Sequence, residues 1–136
     1  MTERGSVLML MPAAILIVVA LSAVAVDLST VLLAQRELAS AADAAANDAV
    51  TYGIDEDHLR RGGRYRLDPG RVERAVTAAL RTQGLATARR EIEILGARTV
   101  RVTLRRWVTY IFAPAIPGSR GRTAVTAGAT ATAEVR

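Results

Sequence analysis

GSVLMLMPAAILIVVALSAVAV, residues 5–26, is 22 residues long and contains no Asp, Glu, Arg, Lys or His. A bilayer core about 30 Å thick is crossed by roughly 20 apolar residues rising 1.5 Å each. Val7 to Val26 meets that length with little to spare, and Ser6 to Val26 reads as a membrane helix. Pro12 falls in its first third, a place where proline kinks a helix and where lipid-embedded helices tolerate it. Ser22, Ala23 and Ala25 offer a small-residue face for close helix contact. Asp27 follows directly, either as a boundary residue where a charge costs little or as a group that orients the helix or pairs with a partner.

No Gly or Pro occurs from Asp27 to Tyr52, so the helix is expected to run on to about Val50. A continuous helix of roughly 45 residues would measure about 65–70 Å. Leu28, Val31, Leu32, Gln35, Leu38, Ala42 and Ala45 recur at three- and four-residue steps and predict one amphipathic face. That face thins from Leu and Val to Ala, so whatever packs on it comes close. Asp43 lies off this face, as a solvated charge or as the partner of an Arg elsewhere in the domain.

Working outward, residues 52–67 mix Gly53, Gly62 and Gly63 with acidic and basic clusters and read as a solvated linker. Asp68-Pro69 is a helix start, with Asp as N-cap and Pro in the first turn. Val72, Ala75, Val76, Ala79 and Leu80 form the buried face of that helix, and Gly84 ends it. The period then changes to two. Glu91-Ile92-Glu93-Ile94 and Val100, Val102, Leu104 alternate about a turn at Gly96-Ala97. At Arg105-Arg106 the alternation slips by one, which predicts a bulge or a strand end. Trp107, Tyr110, Ile111 and Phe112 read as core, with an exposed interaction patch as the alternative. Thr123 to Val135 alternates Ala and Thr as a final strand.

All 18 basic residues are Arg, Ala numbers 26, and the net charge is +5. A GC-rich genome favours that bias, so the Arg content carries little functional weight. With no Cys, disulfides, thiolate chemistry and Cys-based zinc sites are excluded. His58, the single histidine, stands beside Asp55, Glu56 and Asp57 in one loop, a spacing that does not converge ligands on a metal and supplies no triad. Arg61-Gly62-Gly63-Arg64 lacks the ending of a phosphate loop. The Arg-rich stretches lack a groove-reading element or stacking aromatics for nucleic acid, which leaves a solvated face or weak affinity for anionic headgroups or wall polymer. Ala23-Val24-Ala25 resembles a signal-peptidase site, but the apolar region exceeds the usual 7–15 residues, which favours a retained anchor. Arg4 and the α-amino group tip the charge balance toward a cytoplasmic N-terminus.

Arg4-Gly5-Ser6 before the apolar run, Pro12 within it, Val26-Asp27-Leu28 at its exit and Arg36-Glu37-Leu38 before Ala41-Ala42-Asp43-Ala44-Ala45-Ala46 together resemble the TadE/TadG-like pilin-type proteins of the tight-adherence (Flp) pilus assembly system. The match covers residues 4–50, and the Ala-Ala-Asp-Ala-Ala-Ala block is its most specific part. The resemblance implies a minor pilin or pilus-assembly component of the bacterial cell envelope. It is expected to sit single-pass in the cytoplasmic membrane, N-terminus inside and C-terminal domain outside, with the cell surface or pilus as a further location. It also implies a leader cleavage site at Gly5 and Ser6. Leu10 stands where pilins commonly carry a Glu five residues after the cut, so the charge pairing that helps pilin helices stack is missing.

The expected fold is α+β: a long N-terminal transmembrane helix continuing into a small antiparallel-sheet domain with one further helix. Residues 1–5 form a leader or stub, 6–26 the membrane helix, 27–51 its amphipathic extension and 52–136 the outer domain. The expected function is structural and non-catalytic, with no cofactor, no metal, no nucleic acid and no small-molecule substrate. Its partners are the bilayer and other pilin-like subunits or the assembly machinery. Gly5, Ser6, Pro12, Ser22, Asp27, Leu28, Val31, Leu38, Ala42 and Asp43 are the residues expected to carry processing, helix packing and the membrane boundary. The rival is a tethered or secreted envelope-binding domain that uses its Arg face or aromatic patch. Burial separates the two: an exposed 28–46 face favours partner helices, a covered one favours simple tethering.

Overall fold

The computed structural model describes the backbone of residues 4–134 and the side chains of residues 10–134. The chain is α+β, as expected, with a long apolar N-terminal helix, further helices and a three-stranded antiparallel sheet. Helix α1 runs Arg4–Tyr52 with Pro12 inside it. Helix α2 is Glu56–Arg60 and helix α3 is Pro69–Thr82. Strands β1 (Arg89–Ile94), β2 (Thr99–Thr109) and β3 (Arg122–Thr132) lie in the order β1-β2-β3. The chain divides into two compact units, one of residues 1–33 and 108–123, the other of residues 34–107 and 124–136.

In the second unit the core is built from small residues. Ala34, Leu38, Ala41, Ala42, Ala45, Ala46 and Ala49 are buried along α1 at three- and four-residue steps. Val72, Val76, Ala79 and Leu80 of α3 and Val100, Val102 and Leu104 of β2 join it. The face differs from the periodicity reading, because Gln35 is exposed while Ala34, Ala41 and Ala49 are buried. Alanine lets backbones approach, and Gly53 shows how closely: a Cβ there would collide with the Ala49 carbonyl and the Val72 side chain.

Local signals set the element ends. Asp68 caps α3 by accepting from the Arg71 N–H at 2.7 Å. At its other end Leu85 N–H donates to Leu80 O and Gly84 N–H to Arg81 O, a Schellman closure that needs the positive φ of +71° at Gly84. The hairpin between β1 and β2 turns at Gly96, also at positive φ, and pairs Ile94 with Val100 through to Arg89 with Arg105.

Three local expectations fail. Residues 52–67 are not wholly loop: Asp55 caps α2, and an antiparallel bridge joins Ile54 to Leu67, which is buried. The alternation of β2 does not slip at Arg105-Arg106, because the strand continues to Thr109 with Arg106 half-buried and Val108 buried on the inward side. On that side the Arg106 guanidinium meets Glu37 of α1 at 2.6 Å. That register sends Trp107 outward, where it is 58% exposed with Arg105 stacked over its ring. Ile111 and Phe112 are exposed as well, so the aromatic segment is not the core.

Candidate interaction site at the end of the apolar helix

Residues 10–26 of α1 are apolar all round and expose Leu10, Ile15, Leu16, Val18, Leu21 and Val24. A helix without a polar face belongs in an apolar medium. Among the described residues this is the one helix long and apolar enough to cross a membrane. The hydroxyls of this stretch and of the turn that follows it are closed internally: Ser22 donates to Val18 O at 2.8 Å, Ser29 to Ala25 O at 2.8 Å and Thr30 to Val26 O at 3.0 Å. Such back-bonding satisfies polar groups where water is absent.

Asp27 is the one buried charged residue among the described residues. Its carboxylate accepts three backbone N–H groups from a segment more than eighty positions away: Ile111 at 2.7 Å, Phe112 at 3.0 Å and Ala113 at 2.8 Å. These donors open the short 3₁₀ turn Ala113–Ala115, whose first N–H groups have no partner within the turn. The 110–121 loop closes on itself as well. Tyr110 N–H donates to Gly121 O at 3.0 Å, and the Ser119 hydroxyl donates to Ala113 O. Burial works against the Asp27 charge, but the N–H groups of Phe112, Ile111 and Ala113 outweigh it and hold the carboxyl below its ordinary range. The aspartate is therefore a clamp that ties the loop to the helix one residue beyond the uncharged run.

Beside the clamp lies an apolar groove of about 640 Å³, lined on the helix side by Ala20, Val24, Leu28 and Val31 and on the loop side by Phe112 and Ile116. The residues singled out from sequence thus separate. Asp27, Leu28 and Val31 meet at this groove, with Leu28 exposed and Val31 half-buried. Pro12 and Ser22 are exposed on the apolar helix. Leu38 and Ala42 are fully buried in the other unit. Asp43 is exposed, and no ion pair reaches it among the described residues. Gly5 and Ser6 lie in the first turn of α1, their surroundings outside the described residues. The Asp55–His58 stretch is otherwise employed: Asp55 caps α2 and Glu56 pairs with Arg60 and Arg71. The loop half of the groove escaped the sequence reading. Its signal was the uncharged stretch from Trp107 to Ser119, which matches the helix in polarity.

Among the described residues, one long apolar N-terminal helix followed by a small α+β domain fits a membrane-anchored protein. Residues 5–51, nearly the whole of α1, match the family "Putative Flp pilus-assembly TadE/G-like". The chain therefore carries a TadE/TadG-like segment, which supports a place in Tad/Flp pilus assembly. No curated protein and no solved structure matches the chain.

Proposed function

We propose that the protein is a pilin-like structural subunit, a minor pilin or pseudopilin, held in the cytoplasmic membrane by the first half of α1. Its N-terminus faces the cytoplasm, its α+β domain lies outside, and it works without catalysis by presenting its helix to other pilin-like subunits or to the assembly machinery. The observation that carries this reading is the coincidence of the family match with α1. On the 28–46 face Leu28 and Leu32 are exposed, which favours partner helices, while Leu38, Ala42 and Ala45 are buried in the chain's own core.

The test is the intact mass and N-terminal sequence of the protein recovered from host membranes. A chain starting at Ser6 supports prepilin-type processing between Gly5 and Ser6. One starting at Met1 supports a membrane-resident assembly subunit that keeps its stub. A start at Val26 would identify a signal peptide and remove the pilin-like reading.

A further inference from the structure

We propose that the 110–117 loop is a membrane-interface element, its apolar side chains resting in the acyl–headgroup boundary of the same bilayer that α1 crosses. This rests on the reading of residues 6–26 as the membrane span. The argument is one of depth. The Asp27 clamp fixes Ile111, Phe112 and Ala113 to the helix one residue past the end of the uncharged run. The groove beside it extends back along the helix to Ala20. Seven residues of helix rise about 10 Å, so the groove reaches about that far into the segment assigned to lipid. A surface flanked by Ala20 and Val24 shares the medium those residues are in. Amphipathic elements that lie in the interface bury their apolar faces by about 5–10 Å, a comparable depth.

The loop has the chemistry for that place. Ile111, Phe112 and Ile116 are 60%, 45% and 61% exposed. No charged residue occurs between Arg106 and Arg120. On the helix Asp27 is the sole charge between Arg4 and Arg36, and its oxygens are engaged by backbone N–H groups in place of water. A carboxylate so engaged can stand at the edge of the hydrocarbon at reduced cost. Tyr110, half-buried in the same groove, is of the type that collects at membrane boundaries. The apolar surface of the loop is thus continuous with the lipid-facing surface of the anchor, and the bilayer covers both.

The chain has no cysteine, so single-cysteine variants Ile111→Cys, Ile116→Cys and Val18→Cys can each carry one nitroxide. The whole chain is reconstituted at low density in phosphatidylethanolamine–phosphatidylglycerol vesicles. Collision with oxygen, which concentrates in lipid, is compared with collision with a water-soluble nickel chelate. The expected result is a several-fold excess of oxygen over nickel accessibility at 111 and 116, of the same sign as at 18. Nickel accessibility at 111 and 116 with oxygen accessibility at 18 overturns the proposal and leaves the anchor standing. Nickel accessibility at all three overturns the span as well. Shielding from both reagents at 111 and 116 that grows with protein density means a second copy fills the groove, and that too overturns it. A Phe112→Trp chain in a Trp107→Phe background gives an independent reading, because brominated lipid should quench the new indole and leave it unquenched if the loop is in water.

Discussion

Residues 10–26 and 34–50 of helix α1 are both rich in apolar residues, yet they are stabilised by different surroundings. The first stretch uses Leu, Ile and Val and exposes nearly all of them; the second relies on Ala and buries six alanines together with Leu38 and Val50 over successive turns. Large branched side chains suit a medium without defined shape, where area in contact with lipid is what counts. Alanine contributes little area, so it is chosen where a neighbouring backbone must come close. Hydrophobicity alone would rank the first stretch as the better core. Packing reverses that order.

Truncating the same residue type in each half should break the apparent equivalence most sharply. Leu38→Ala removes a fully buried side chain and should cost the domain about 2–5 kcal/mol, read as a lower urea midpoint of Trp107 fluorescence in micelles. Leu21→Ala, 65% exposed, should leave that midpoint unchanged. Enlargement should show the converse. Ala42→Leu overpacks a site with no exposed surface and should cost about 1–3 kcal/mol, whereas Ala25→Leu should be tolerated.

Asp27 separates the two stretches, and its variants sharpen the comparison. Asp27→Ala leaves three N–H groups without their acceptor, and amide exchange at Ile111, Phe112 and Ala113 should accelerate while the buried strand Val100–Leu104 keeps its protection. Acid gives the same information. Because the folded carboxyl titrates below its ordinary value, the clamp's contribution is complete above about pH 4 and is lost as pH falls through the folded value. Loop protection that instead declined between neutral pH and pH 5 would contradict a lowered pKa. The smallest effect belongs to Glu37→Gln. Its partnership with Arg106 is 53% exposed on the glutamate side, and the loss should stay under about 1 kcal/mol.

The elements that could be read from sequence are those whose cause is local. The apolar run, the Asp68-Pro69 start, the Gly84 stop and the Gly96 turn each depend on a few neighbouring residues, and each is present. The misplaced residues depend on distant ones. Arg106 counts as outward by polarity, but Glu37, 69 positions away, lets it face inward. Once Arg106 is inward, strand geometry turns Trp107 outward. Leu28 and Leu32 match the spacing of a buried face and are exposed, because the domain's core begins at Ala34.

What the sequence by itself determined is therefore the main elements and the apolar character of the first one: 22 uncharged residues in a helix favour an apolar medium over water on all sides. Only the tertiary structure decided the role of Asp27. A carboxylate at the end of an apolar helix looks like a boundary charge, since nothing within a few turns can engage it. The three N–H groups that do engage it come from a loop 84 to 86 residues later, and chain proximity carries no trace of that pairing.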